Sequence, residues 1–164
     1  MSDKNFQTQF VVSQSPAEVF QAINNVRGWW SENIAGSTDQ LNAVFLYQYK
    51  DVHRCKIRIT EFIPEKKVVW HVLENRFSFT KDKGEWVGNE LVFDIARAGA
   101  ETELTFTQIG LVPAYECYEV CCDAWTSYIN GSLKELIQTG KGKPNTQEHN
   151  LNQELVEKWG LPDK

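Results

Sequence analysis

No basic run of any length occurs in this chain, and its net charge is −5. That counts against a nucleic-acid partner, whose phosphates call for clustered Lys and Arg. No apolar stretch approaches the ~20 residues of a membrane span, so no membrane role is expected. The opening MSDKNFQTQF lacks the charged and apolar regions of a signal peptide, which points to the cytoplasm and to reduced thiols. Cysteine is sparse, at four. Cys117 and Cys121 stand one helical turn apart, but neither a second pair nor a nearby His completes a zinc set. The cysteines are read as small apolar fillers. His53, His71 and His149 are scattered, with no HExxH, and the glycines form no phosphate-cradling motif. Ser127 has no His or Asp at motif spacing. No cofactor, metal or catalytic set is therefore expected.

What the chain holds instead is apolar and aromatic material. Hydrophobic residues are 41% and aromatics 12% of 164 residues, enough for one domain with a sizeable core. The longest signal is helical. Over residues 113–139, Tyr118, Cys121, Cys122, Trp125, Ile129, Leu133 and Leu136 recur on one stripe. Pro113 suits a first helical position and Gly140 a left-handed stop. A helix of this length needs a broad apolar surface to lie on.

The preceding chain supplies one. Residues 5–13 alternate as a strand, with Phe6, Phe10 and Val12 on one face. SPAEVFQAI follows with Ser15 as N-cap, Pro16 at the first position and Glu18 closing a capping box. Residues 26–34 are predicted as a second short helix. From Leu41 to Leu111 the pattern is strand after strand, joined by short turns: LNAVFLYQY, HRCKIRITEFIP, KVVWHVLEN, NELVFDIAR and ETELTFTQI. This predicts an antiparallel meander. In the second of these, Cys55, Ile57 and Ile59 point inward and Arg54, Lys56 and Arg58 outward. After the long helix GKGKPNTQEHN, from Gly140, reads as an exposed linker, and in the C-terminal tail, residues 145–164, Leu151, Leu155, Val156 and Trp159 share one side of a short helix. That helix is marginal alone and is expected to pack on the body or on a partner.

Strand, two short helices, meander and long C-terminal helix make an α+β helix-grip layout over residues 1–144, a curved antiparallel sheet wrapped around the helix. SPAEVFQAI followed by WW, ITEFIPEKKVVWHV, ETELTFTQIGL and AWTSYINGSLKELIQTGKGKP together resemble the SRPBCC (START-like) superfamily. Within it they resemble the homologues of the activator of heat-shock protein 90 ATPase. The resemblance covers about residues 5–144 and implies a cavity between helix and sheet that takes a small lipophilic molecule. The eukaryotic activator carries an additional N-terminal domain and this sequence begins almost directly at the first strand, so the co-chaperone role is not expected to transfer with the fold.

A curved sheet against a straight helix leaves space unless large side chains fill it. The candidate cavity residues are Tyr118, Cys121, Trp125 and Tyr128 from the helix and Trp70, Phe77, Phe79, Phe93 and Phe106 from the sheet. Trp29 and Trp30 from the second short helix join them. The plain alternative is that the aromatics pack as core. Glu61 continues the inward series after Ile59, as a cavity acid or as a solvated residue at the sheet end. His71, opposite in sense to Trp70, is expected outward, as are Glu90 and Asp94. The leading expectation is a cytoplasmic binding module for a small lipophilic molecule. A chaperone-accessory or stress-response interaction domain, possibly homodimeric, is the alternative, with the tail helix as its feature. A cyclase- or aromatase-type enzyme, with Glu61 and Tyr128 as its first suspects, is the further alternative.

Overall fold

Period-two alternation becomes strand wherever one face has a core to meet. The computed structural model describes residues 5–50, 52–78, 80–81, 84–145 and 151–160. Within them lie β1 (Phe6–Val12), α1 (Pro16–Asn24), β2 (Ile34–Ala35), β3 (Val44–Tyr49) and β4 (His53–Ile63). β5 (Lys67–Phe77), β6 (Glu90–Ala98) and β7 (Glu101–Ile109) complete one seven-stranded sheet, in the order β1-β7-β6-β5-β4-β3-β2. Every neighbouring pair is antiparallel. The meander runs from β2 to β7, and β1 closes on β7 with Phe10 opposite Leu104. Cys55, Ile57 and Ile59 are buried while Arg54 and Arg58 are exposed, as their alternation predicts. The sheet is curved and unclosed, and the C-terminal helix lies across its inner face.

The capping box that opens α1 is present in full. Ser15 Oγ accepts from Glu18 N at 3.2 Å, and Ser15 N donates to Glu18 Oε1 at 3.2 Å. The second short helix shrinks to a single 3₁₀ turn, Val26–Gly28. The chain then extends to pair Ile34 with Tyr47. Burial of Trp29 and Trp30 against the core wins over local helical preference here.

The long helix starts later than Pro113 suggests and is not α throughout. It comprises α2 (Tyr118–Thr126), a π-helical segment (Ser127–Leu133) and α3 (Lys134–Thr139), and ends at Gly140 with φ +84°. No side chain of its own caps α2. Glu85, from the turn before β6, accepts from Glu116 N at 2.7 Å and Cys117 N at 3.1 Å and so serves amides at the helix start. In the π segment Tyr128, Ile129, Ser132 and Leu133 are all buried. Ser132 Oγ donates to Trp29 O at 2.7 Å, which fixes the wide turn against the first tryptophan.

The described part of the expected linker, residues 140–145, is held against the body, and residues 146–150 lie outside the described residues. Asn145 is buried and forms a parallel bridge with Ser31. Its N donates to Trp30 O at 2.9 Å, and its O accepts from Glu32 N at 3.1 Å. A Cβ on Gly142 would stand 2.4 Å from Gly28 O and 2.9 Å from Ser132 O. Only glycine lets the strap lie this close to both backbones. Beyond it, α4 (Leu151–Trp159) packs on α2. No helix among the described residues is long and apolar enough to cross a membrane.

Candidate ligand-binding cavity

Seven aromatic rings and one imidazole surround a small space between β3–β5, α2 and the π segment. Trp30 comes from the turn after α1. Tyr47 and Tyr49 come from β3, His53 and Phe77 from the paired ends of β4 and β5, and Trp86 from the turn before β6. Trp125 and Tyr128 face them from the long helix. Cys121, Ala124, Val120 and Val52 fill the gaps, and Leu155 and Val156 of α4 close the outer side. The enclosed volume is about 50 Å³. That is far below the ~300–1,000 Å³ of a drug-sized ligand site.

The rings are ordered against one another. Trp30 stacks on Tyr47 at 4.2 Å, and Trp86 on Trp125 at 5.8 Å with 18° between planes. Flat faces on two sides suit a flat or aromatic guest. Neither Asp, Glu, Lys nor Arg lines the space. His53 is packed by Tyr47, Phe77 and Trp86, and its Nε2 lies 2.8 Å from Asn75 Oδ1. Part of its edge still reaches solvent, yet the surrounding rings strip the imidazole of water. This desolvation outweighs the bond to Asn75 and lowers its pKa to about 4. At neutral pH the wall is therefore uncharged.

Its polar groups are neutral. Tyr128 Oη accepts from Asn145 Nδ2 at 2.6 Å, and burial pushes its pKa well up. Burial, then the neighbouring Cys117, raises the Cys121 thiol. It is a poor nucleophile as a result. Trp125 Nε1 donates to Gln108 Oε1 at 2.7 Å, and Gln108 passes the chain to Asn89 at 2.9 Å and Asn89 to Tyr115 at 2.9 Å. Trp86 differs: it is 4% exposed, and its Nε1 has no hydrogen-bond partner among the described residues. The Cys121 thiol lies near enough to interact with it, but a thiol is a weak acceptor and leaves most of the indole donor's capacity unused.

Of the residues singled out in the sequence, Trp30, Phe77, Cys121, Trp125 and Tyr128 come together here. Trp70, Phe93 and Phe106 do not line the space. They are fully buried one layer deeper, with Trp70 against Trp29, Phe45 and Phe93, and Phe106 against Phe93 and Trp125. Tyr118 is half-buried outside the cavity, and Phe79 lies outside the described residues. Of the two readings of Glu61, the solvated one holds and the cavity acid does not. A register shift between Ile59 and Glu61 breaks the period-two series, and Glu61 is exposed. His71, Glu90 and Asp94 stand on the outer face, with His71 Nδ1 3.9 Å from Glu90 Oε2 and Lys67 Nζ 3.9 Å from Asp94 Oδ1. Sequence reasoning missed Tyr47, Tyr49, His53 and Trp86. The first three sit on the inward register of strands it had placed, at Tyr47, Tyr49 and the His53–Phe77 pair. Trp86 carried no periodic signal. Among the described residues no group of three His, Cys, Asp or Glu could hold a metal ion, and the cysteines are free.

No family model matches the chain, and no curated protein matches it. Solved structures do. The Aha1 dimer structure from Colwellia psychrerythraea is 21% identical, with a TM-score of 0.68, over 85% of this chain and 99% of that one. Protein MLL2253 from Mesorhizobium loti is 11% identical with a TM-score of 0.63, over 82% of this chain and 96% of that one. DynU16, a protein of the dynemicin biosynthetic locus, is 14% identical with a TM-score of 0.62, over 86% of this chain and 49% of that one. At these identities the likeness carries the fold: the chain shares the helix-grip architecture of these structures, the fold that its sequence resemblance implied.

Proposed function

We propose that the chain is a cytoplasmic binding module for a small, uncharged, lipophilic molecule, held between the long helix and the sheet. The observation that carries this reading is an aromatic cavity with no ionised wall and one buried indole donor, Trp86 Nε1, faced among the described residues by nothing stronger than the weakly accepting Cys121 thiol. Apolar burial at about 25 cal/mol per Å² would supply the affinity, and a carbonyl or ether oxygen facing Trp86 the orientation. The four free thiols agree with a reducing compartment.

Native mass spectrometry of freshly purified protein tests it, followed by extraction of what comes off on denaturation. The expected result is an adduct of about a few hundred daltons, the mass of an ordinary pocket ligand, which the space of about 50 Å³ must widen to admit. Bare protein, with Trp fluorescence and Tm unmoved across a panel of uncharged aromatic compounds, would overturn the reading. Where an adduct forms, Trp86→Phe should weaken its binding about fivefold, the loss of one hydrogen bond of ~1 kcal/mol. Self-association is a second reading, prompted by the dimeric state of the Aha1 structure. The mass of the native species decides it in the same experiment.

A further inference from the structure

α4 covers one side of the cavity. Leu155 and Val156, each 6% exposed, face the cavity beside Tyr49, Val52 and Val120. α4 has nine residues, too few to hold a helix in water unaided, so its contacts with the body keep it in place. Beside the apolar pair those contacts are polar and peripheral. Tyr49 Oη donates to Gln153 Oε1 at 2.6 Å and Lys50 Nζ to the same oxygen at 3.2 Å. Lys158 Nζ and Trp159 Nε1 donate to Asp123 Oδ2 at 2.7 and 3.1 Å. The two made by Lys50 and Lys158 are exposed and worth little each, and those made by Tyr49 and Trp159 are half-buried. A site of about 50 Å³ behind them is too small for the guest that its walls suit. Withdrawing Leu155 and Val156 joins that space to the groove these two side chains fill.

We propose that α4 is a resident occupant of the outer half of the binding site and that ligand competes with it for the same wall. The inference rests on the binding function proposed above. Leu155 and Val156 then show what the outer half accepts, a branched aliphatic or other uncharged apolar group, while the stacked indoles take a flat one. Closed α4 lowers apparent affinity by the fraction of molecules that are open. The contacts to Asp123 and Tyr49 set that fraction.

The test uses the full chain and N-phenyl-1-naphthylamine, an uncharged, flat fluorescent probe. Two variants release α4 by different means: Asp123→Asn with Lys158→Gln cuts the exposed latch, and Leu155→Ala with Val156→Ala empties the groove. The latch variant changes only partly exposed side chains and keeps the core intact, with circular dichroism as the check. Expected is binding at least about threefold tighter in the latch variant than in the parent chain. Faster amide hydrogen exchange across residues 153–159 on adding probe to the parent is also expected. Equal or weaker binding by the latch variant, or slower exchange in α4 with probe bound, would show α4 to be a fixed wall and overturn the inference while leaving the binding function standing. Failure of the parent and both variants to bind the probe or any adduct would remove the binding function and this inference together.

Discussion

At the scale of single residues, His53 makes the sharpest prediction. The folded pKa lies near 4, below the usual 6.5, because its aromatic neighbours exclude water. Unfolded chains take up the proton first as pH falls, so folding loses stability across the window from about 6.5 down to about 4. A shift of this size corresponds to at most about 3 kcal/mol, reduced by the part of the ring that solvent still reaches. Urea midpoints measured every half pH unit should fall through that window, and His53→Gln should flatten the fall. A parallel fall in both proteins would assign it to other groups. Gly142 makes a steric prediction. The Cβ of Gly142→Ala would meet two backbone oxygens that have nowhere to go. Overpacking of this kind costs about 1–3 kcal/mol, to be read as a lower urea midpoint with unchanged slope. Neither residue announced its role in the sequence. His53 lies at a strand end whose third neighbour, Trp86, comes from a turn, and Gly142 looked like part of a polar linker.

At the scale of elements, what was legible followed local physics. Ser15, Pro16 and Glu18 specify the start of α1 within four residues, and the structure uses all of them. Ser15→Ala should cost about 1 kcal/mol, with Glu18→Gln largely sparing the reciprocal bond. Equal losses for both in thermal melts would show that charge at the helix start, not the hydroxyl, matters. The strands were legible because their alternation has a buried face. The failures share one cause, a dependence on residues far away in the chain. Glu61 is turned outward by a bulge whose register only the partner strand β5 defines. Pro113 does not open the helix, because Glu85 caps it later, from 31 residues upstream of Glu116. The π geometry of Ser127–Leu133 is tied through Ser132 to Trp29, 103 residues before Ser132 in the chain. Periodicity sees neither bulge nor distant cap, so five of the cavity's aromatic or thiol residues were found but their assembly was not.

At the scale of the whole molecule, the chain divides by what each part needs. β1 pairs as an edge strand with β7, the last strand of the meander, and Thr8 Oγ1 donates to Asn130 Oδ1 at 2.9 Å, so the long helix is bound to the first strand as well. Asn145 then ties the strap to Trp30, Glu32 and Tyr128. Every one of these long-range closures lies at or before residue 145. α4 lies beyond them, packing on α2 and bringing Val156 to the edge of the core beside the cavity. Deleting residues 146–164 should therefore leave one cooperative unfolding transition, with Tm lowered by the loss of two buried aliphatic side chains. At roughly 1.5–3 kcal/mol for each fully buried chain, and about 2–4 °C per kcal/mol in a domain of this size, the drop is about 6–24 °C. The spread is informative at both ends. Loss of the cooperative transition would make α4 part of the core and inconsistent with an element that ligand can displace. A Tm within a degree of the parent would mean that the groove under α4 closes by itself when α4 is gone.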